Sequence, residues 1–96
     1  MIQLSKNYVR QYKLDYKFAH YNIGYIYLVY LKNYKKAVTN FSNAITCDPK
    51  YAEAYYNRGF SYELMKDFKN AKADYKNALD LKTNYQKAID GLNRIP

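Results

Sequence analysis

Basic and aromatic side chains alternate near the start of the sequence. Lys6, Arg10, Lys13 and Lys17 are spaced by four, three and four positions, so a helix would place them on one face. They are interleaved with Tyr8, Tyr12 and Tyr16. Lysine and arginine neutralise phosphates and aromatic rings stack on bases, so the pattern is typical of an RNA or single-stranded DNA surface. One hypothesis is therefore a basic helical protein that binds nucleic acid.

The positive charge is concentrated in the first half of the chain. The 96 residues carry a formal net charge of +8. Residues 1–47 contain seven basic residues against Asp15 alone, a balance of +6, whereas residues 48–96 contain nine basic and seven acidic residues, a balance of +2. Nucleic acid, an acidic protein segment and an anionic membrane are all compatible with this charge. Lysine, asparagine and tyrosine are enriched everywhere, however, so basicity need not signify a ligand.

The residues that usually carry catalysis or hold metals are sparse. His20 is the only histidine and Cys47 the only cysteine, which excludes a disulfide framework or a cysteine-based zinc site within this chain. The sequence has no phosphate-cradling glycine loop and no serine in a nucleophile elbow. We therefore predict no enzyme activity, no catalytic residue, no metal and no cofactor. His20 is expected to pack in the core, and Cys47 to be buried as a small hydrophobic residue.

Length and composition favour one small helical domain. Three glycines and two prolines supply few of the turns that an all-β fold requires. The longest uncharged run, residues 18–31, is shorter than the roughly 20 apolar residues that span a bilayer, so we predict no transmembrane segment. No basic-then-apolar signal peptide opens the sequence, which favours an intracellular, cytoplasmic location.

Two parts of the sequence repeat each other. Residues 31–45 read LKNYKKAVTNFSNAI and residues 65–79 read MKDFKNAKADYKNAL, an offset of 34 positions. Upstream, residues 16–27 resemble residues 51–62 with an offset of 35. A fixed period of this size indicates a repeat architecture. The first copy must contain one extra residue, which the two offsets place between Tyr27 and Tyr30.

Each copy divides into two helices. In the second copy, Asp48 and Pro49 can start a helix over residues 50–65, which the step at Lys66 and Asp67 would end. From Phe68, apolar and small residues recur with the spacing of an amphipathic helix. The predicted fold is all-α, with helical hairpins over residues 16–47 and 50–82 and a short final helix over about 85–94.

The second copy resembles a tetratricopeptide repeat along almost its whole length, in the stretch AEAYYNRGFSYELMKDFKNAKADYKNALDL. The family's characteristic positions are filled by Tyr55, Gly59, Tyr62, Phe68, Ala71, Tyr75 and Ala78, while Thr83 departs from the terminal proline. In the first copy they correspond to His20, Gly24, Tyr27, Tyr34, Ala37, Phe41, Ala44 and Pro49. Glycine and alanine allow close helix approach, which large aromatics then fill.

This resemblance implies a right-handed superhelical stack of two hairpins with a capping helix. The expected domains are an N-terminal helical extension or tail (1–15), two repeats (16–49 and 50–83) and the capping helix (84–96). An adaptor or scaffold that binds a peptide or partner protein in a concave aromatic groove is the implied function. The groove positions of the family, with one residue of the final helix, are Phe18, Tyr21, Asn22, Tyr25, Leu28, Glu53, Tyr56, Asn57, Phe60, Glu63 and Lys87.

Two interpretations of the groove stay open. The asparagine amides of Asn22 and Asn57 could each bond an extended peptide backbone, with the aromatics as anchors. Alternatively, the aromatics pack only against one another or against the N-terminal segment.

A chaperone-binding subfamily provides a further alternative. Its members hold the terminal carboxylate of heat-shock chaperones in a clamp of lysines and asparagines. Asn57 and Lys87 match that clamp, but Tyr21, Tyr25 and Gly91 stand where it has lysine, asparagine and arginine. The resemblance therefore implies a co-chaperone without a standard clamp as an alternative function.

The first repeat is also a candidate surface for self-association. Two repeats are fewer than the three or so that usually form a stable stack. The segment IGYIYLVYL is apolar on all sides, so a homodimer could bury Ile26, Val29 or Tyr30. The segment 2–14 is the competing cover.

Overall fold

The chain forms five helices within residues 16–96, the part of the protein that the computed structural model describes. Helix α1 is α-helical over residues 16–25 and continues into a π-helical turn, Ile26–Tyr30. It is followed by α2 (Tyr34–Cys47), α3 (Ala52–Leu64), α4 (Phe68–Leu81) and α5 (Gln86–Arg94). Residues 16–96 contain no strand. The predicted all-α fold of two helical hairpins and a final helix is confirmed.

The π-helical turn accommodates the extra residue of the first repeat. The amide of Leu31 donates to the carbonyl oxygen of Ile26, five residues earlier, at 3.0 Å. A second backbone bond also shows the insertion. The amide of Asn33 donates to the carbonyl of Tyr27, six residues earlier, whereas in the second repeat the amide of Asp67 donates to the carbonyl of Tyr62, five residues earlier. The predicted insertion between Tyr27 and Tyr30 therefore coincides with this turn, which absorbs it without breaking the helix.

The turn inside each hairpin is built in the same way. Lys32 and Lys66 adopt left-handed backbone conformations, with φ of 51° and 63°. The next residue caps the following helix, because the side chain of Asn33 accepts from the amide of Lys36, and that of Asp67 accepts from the amide of Asn70. The predicted break at Lys66 and Asp67 is confirmed.

The second hairpin begins later than predicted. Asp48, Pro49 and Lys50 form a turn, closed by the amide of Tyr51 donating to the carbonyl of Asp48. The side chain of Asp48 also accepts from the amide of Lys50 at 3.1 Å. Aspartate followed by proline starts a β-turn as readily as a helix. The prediction that α3 starts at residue 50 is therefore wrong, since α3 starts at Ala52.

One aromatic ring at the same position of each second helix forms the centre of the core. Phe41 in α2 and Tyr75 in α4 are both completely buried. A β-carbon added to Gly24 would lie 2.9 Å from the ring of Phe41, and one added to Gly59 would lie 3.1 Å from the ring of Tyr75. The predicted role of Gly59 at a close helix contact is confirmed. A β-carbon on Gly91 would come within 2.5 Å of the opposite edge of Tyr75.

Helix α3 is held between the two second helices. The guanidinium of Arg58 donates to both carboxylate oxygens of Asp74 in α4, at 2.7 and 2.8 Å, and to the hydroxyl of Ser42 in α2 at 3.1 Å. Burial raises the pKa of Asp74, and the bonds from Arg58 oppose that rise. This network ties three helices together at one buried carboxylate.

The histidine and the cysteine are less buried than expected. His20 is half-buried, with its ring 5.6 Å from that of Tyr16. Cys47 is also half-buried, because it is the last residue of α2. The prediction that Cys47 is buried is wrong.

Candidate functional site

The first helix of each hairpin and α5 lie side by side, and their shared surface is called the inner face here. The amide nitrogen of Asn57 in α3 donates to the hydroxyl of Tyr21 in α1 at 2.7 Å, which joins these two helices. The rings of Tyr56 in α3 and Tyr85, the residue before α5, are 5.3 Å apart. Side chains from three separate parts of the chain therefore meet along one surface.

Two clusters of aromatic rings cover this surface. In the first, the ring of Tyr21 lies 5.0 Å from Tyr51, 5.6 Å from Phe41 and 6.5 Å from Tyr25. Burial, and then the charge of Glu53, raise the pKa of the Tyr21 hydroxyl. Burial likewise raises the pKa of Tyr51 to about 12. Both hydroxyls are therefore protonated at physiological pH, and that of Tyr21 accepts from the amide of Asn57.

The second cluster surrounds Tyr56. Its ring stacks on Phe60 at 6.3 Å and approaches Tyr75 at 5.7 Å. The guanidinium of Arg94 lies 5.7 Å above the ring of Phe60. This cluster therefore combines apolar rings with a cation at the C-terminal end of the inner face.

An open cleft of about 410 Å³ lies beside the first cluster. Its lining residues are Lys17, Phe18, Tyr21, Asp48, Lys50, Tyr51 and Glu53. The ammonium of Lys17 pairs with the carboxylate of Asp48 and lies 5.1 and 5.2 Å from the rings of Phe18 and Tyr51. The hydrogen bond from Lys17 lowers the pKa of Asp48 below its ordinary value. The cleft thus offers the exposed ring of Phe18 and the half-buried ring of Tyr51 beside an ion pair.

The predicted site residues differ in accessibility. Phe18 and Tyr25 are the most open aromatics among them, 52% and 42% exposed. Asn22 and Lys87 are also exposed, whereas Tyr21, Glu53, Tyr56 and Phe60 are half-buried. Asn57 is only 8% exposed, and its amide nitrogen is already bonded to Tyr21. Of the two asparagines, Asn22 has the more accessible amide.

Leu28 does not lie on the open surface. It is 4% exposed and packs with Ala37 and Phe41 in the core. The expectation that Leu28 lines the groove is wrong, because its position faces the aromatic ring of the second helix.

Glu63 lies at the position of α3 that matches Leu28 in α1, and its side chain also points towards the aromatic ring of the second helix. Its carboxylate accepts from the hydroxyl of Tyr75 at 2.6 Å and from Arg94 at 2.6 and 2.8 Å. Burial raises the pKa of Glu63, but the bonds from Arg94 and Tyr75 outweigh it and leave the pKa below its ordinary value. Glu63 therefore ties α5 to α3 and α4, with its charge already paired.

The sequence did not identify several residues of this surface. The spacing in the sequence groups Lys17 with Lys6, Arg10 and Lys13 on one basic helix face, and these other three residues lie outside the described residues. Tyr51 and Asp48 belong to the turn between the hairpins, and their proximity to α1 depends on the stacking of one repeat on the next. The match between Tyr51 and Tyr16 in the two copies was the only signal for this region.

Within residues 16–96, the structure contains neither a candidate metal site nor a membrane-spanning helix. No group of three or more histidine, cysteine, aspartate or glutamate side chains is placed to hold a metal ion. None of the helices in this part of the chain is both long and apolar enough to cross a membrane.

Comparison with known proteins identifies two matching repeat patterns. The pattern described as "TPR repeat" matches residues 28–66, and the one described as "Tetratricopeptide repeat" matches residues 52–85. RNA polymerase II-associated protein 3 from Xenopus tropicalis is 37% identical over 65 residues, which are 68% of this chain. The chain spans about 10% of the length of that relative.

A solved structure has the same fold. It is the first TPR of Spaghetti (RPAP3) bound to HSP90 peptide SRMEEVD, and its TM-score is 0.79 at 24% sequence identity. The similarity covers 97% of this chain and 85% of that one. Because matching repeat patterns extend over residues 28–85 and the helices form the corresponding hairpins, the chain belongs to the tetratricopeptide repeat family.

Proposed function

We propose that the chain is a non-enzymatic interaction module that binds an extended segment of a partner protein on its inner face. The observation that carries this proposal is the set of aromatic surfaces exposed there, above all Phe18 and Tyr25. Large rings that are partly exposed and already held by neighbouring rings lose little conformational freedom on binding. They are therefore suitable anchors for a ligand.

Polar groups along the same surface would orient the segment. The exposed amide of Asn22 lies one helical turn from both Phe18 and Tyr25, and it can both donate to and accept from a peptide backbone. Asn57 acts indirectly, since its bond to Tyr21 holds that ring in place. Ion pairs at the two ends, Lys17 with Asp48 and Arg94 with Glu63, add polarity without a free buried charge.

A chaperone tail is a second candidate ligand. The solved structure with the same fold binds an HSP90 peptide. The family resemblance places Asn57 and Lys87 at clamp positions, and of these only Lys87 is exposed, because Asn57 is buried with its amide bonded to Tyr21. Tyr21, Tyr25 and Gly91 replace the other clamp residues, so an acidic tail would meet fewer positive charges here. We therefore expect weaker dependence on the terminal carboxylate and stronger dependence on the aromatic rings.

The proposal is tested by affinity capture with the full chain, followed by mass spectrometry, with and without nuclease. The Tyr25→Ala and Phe18→Ala variants should each weaken the binding of a captured protein by about 1 to 3 kcal/mol. Their helical circular dichroism should be unchanged. Asn77→Ala, exposed on α4, is the matched control and should bind like the parent chain. Lys6→Glu combined with Arg10→Glu should change mainly the association rate and its salt dependence.

The alternatives give different results. If nuclease abolishes all capture, and the double charge change does the same while Tyr25→Ala has no effect, the chain binds nucleic acid instead. For the chaperone tail, calorimetric titration with the SRMEEVD peptide and with its C-terminal amide gives the answer. Binding of both forms, lost in Tyr25→Ala, supports a tail held by aromatics, whereas binding of neither form excludes this ligand.

A further inference from the structure

The ion pairs that the structure describes within residues 16–96 share one arrangement. In each of them, the cation lies above an aromatic ring and also faces a carboxylate. The pairs are Lys17 with Asp48, Arg58 with Asp74, Lys82 with Glu53 and Arg94 with Glu63. A ring face attracts a cation and a carboxylate accepts its hydrogen bonds, so the two together form a site for a basic side chain. This fold forms such sites repeatedly.

The pair that contains Glu53 is the loosest of these. In the other three, a nitrogen lies within hydrogen-bonding distance of a carboxylate oxygen. The ammonium of Lys82 is 3.9 Å from the carboxylate of Glu53, and the two side chains are 54% and 47% exposed. That distance is too long for a hydrogen bond, and an exposed pair of this kind contributes little. Glu53 can therefore exchange Lys82 for a cation from a ligand.

Aromatic side chains surround Glu53 on the inner face. It lines the cleft together with Phe18 and Tyr21. Burial raises the pKa of Tyr85, and the nearby charge of Glu53 raises it further. Glu53 adds to the rise at Tyr21 in the same way. An ammonium or guanidinium can lie on such rings while it donates to the carboxylate and to hydroxyl oxygens.

The other charges beside Glu53 leave room for a further cation. Lys17 is paired with Asp48, and Lys50 has an exposed, flexible side chain that can turn into solvent. Lys82 is free to do the same. The charged residues that line the cleft are two lysines and two carboxylates, so the cleft has no net charge although the whole chain carries +8. Charges more than about 10 Å away are screened at physiological salt. A basic side chain in the cleft therefore responds mainly to Glu53.

We propose that Glu53 selects a basic side chain, lysine or arginine, in the segment that the inner face binds. This inference rests on the proposed function and adds the chemistry of the partner. An apolar residue of the segment packs on Phe18, and the basic residue displaces Lys82 from Glu53. In an extended chain, side chains two positions apart lie on the same side and about 7 Å from each other, so both can enter one cleft. An acidic residue there would meet the carboxylate of Glu53 and bind more weakly.

Selection from a random peptide library displayed on phage, with the full chain as bait, tests this inference. The selected peptides should carry a lysine or arginine next to an apolar residue or two positions from it. Fluorescence polarisation then compares a selected peptide with its neutral analogue, in which citrulline replaces arginine or norleucine replaces lysine. The analogue should bind roughly 10-fold more weakly, the loss expected for one charge-assisted hydrogen bond. Glu53→Gln should weaken the basic peptide by the same factor and leave the analogue unchanged.

Two further variants separate a local effect of Glu53 from a general one. Asp80→Asn removes the same charge from an exposed position on α4 and should bind like the parent chain. Lys82→Met removes the competing cation and should strengthen binding of the basic peptide by about threefold, the contribution of an exposed ion pair. A misfolded variant could not give this gain.

The possible results distinguish this inference from the proposed function. Basic peptides that bind Glu53→Gln as tightly as the parent chain overturn the inference. Selected peptides without a basic residue, or with acidic residues instead, overturn it too. If Tyr25→Ala abolishes the binding of those peptides, the proposed function still stands. A chain that selects no peptide at all overturns both.

Discussion

The two repeats differ in how the buried aromatic ring of the second helix contacts the first helix. Phe41 and Tyr75 occupy the same buried position in their hairpins, each against a residue at the same position of the first helix. In the first repeat that residue is Leu28, and the contact is apolar. In the second it is Glu63, which accepts a hydrogen bond from the Tyr75 hydroxyl. A hydroxyl in one helix is thus matched by a carboxylate in the other, and neither occurs in the first repeat.

The difference follows from what lies beyond each pair. Glu63 also receives two bonds from Arg94, so the polar pair in the second repeat anchors α5. The pair in the first repeat is also contacted by the helix that follows it, but there α3 contributes the ring of Phe60. A carboxylate in place of Leu28 would therefore meet an apolar ring instead of a cation. Repeat position therefore determines where a side chain points, while the neighbouring element determines whether that side chain is polar. The same contrast separates the side of α3 that carries Arg58 and the buried Ser61 from the side of α1 that carries the exposed Ile23 and Ile26.

The largest effect is expected where α3 is tied to both neighbouring helices. Arg58→Ala should destabilise the fold by about 3 to 5 kcal/mol, because it leaves the carboxylate of Asp74, only 3% exposed, without its cation. Ile23→Ala, at the matching exposed position of α1, should cost far less. Urea unfolding followed by circular dichroism measures both, and similar losses would contradict the comparison.

The same variant should show a characteristic pH dependence. Without Arg58, only burial acts on Asp74, so its folded-state pKa lies further above the unfolded value of 3.8. A raised pKa favours folding below the unfolded pKa, and that contribution is lost as pH rises through the folded pKa. The deficit of Arg58→Ala should therefore be smallest at acidic pH and grow towards neutrality. Unfolding curves at a series of pH values test this, and a deficit independent of pH would disagree.

The next largest effect concerns the glycines that face the central rings. Gly91→Ala should cost about 1 to 3 kcal/mol, because its β-carbon would lie 2.5 Å from a Tyr75 ring held on every side. Gly24→Ala should cost less, since its β-carbon would lie 2.9 Å from Phe41. Thermal unfolding ranks the stabilities of the two variants. An equal or reversed order would show that the Tyr75 ring can move to make room for the added methyl group.

Exchanging the chemistry of the two repeats would sharpen the comparison. Tyr75→Phe should cost about 1 to 2 kcal/mol, because a bond to a charged group is lost. The pair Tyr75→Phe with Glu63→Leu, which copies the first repeat, should cost less than the sum of the single changes. A double-mutant cycle in urea measures the coupling, and strict additivity would mean that the hydroxyl and the carboxylate act independently.

The smallest effect should come from the turn inside each hairpin. Lys66→Gly should stabilise the protein by roughly 0.5 to 1 kcal/mol, because glycine adopts the left-handed conformation without the steric cost of a β-carbon. Lys32→Gly should act similarly at φ of 51°. Melting temperatures test both, and a destabilised Lys66→Gly would mean that the lysine side chain stabilises the turn.

Much of the fold could be predicted from local patterns. The start of α4 at Phe68 and the end of α5 at Arg94 follow from residues adjacent in sequence. The start of α3 could not be placed, because Asp48 and Pro49 are compatible with either a turn or a helix start. The candidate site was predicted less well: Leu28 faces the core, and the amide of Asn57 is bonded to Tyr21.

The sequence by itself determined the period, the inserted residue and the glycines that meet the central rings. These features depend on spacing, and spacing sets which side of a helix a residue occupies. Only the tertiary structure decided the pairings across repeats, namely Lys17 with Asp48, Tyr21 with Asn57 and Arg94 with Glu63. Their members are 31 or 36 residues apart. They meet because the helices stack, and the repeat pattern does not encode which polar groups then come within hydrogen-bonding distance.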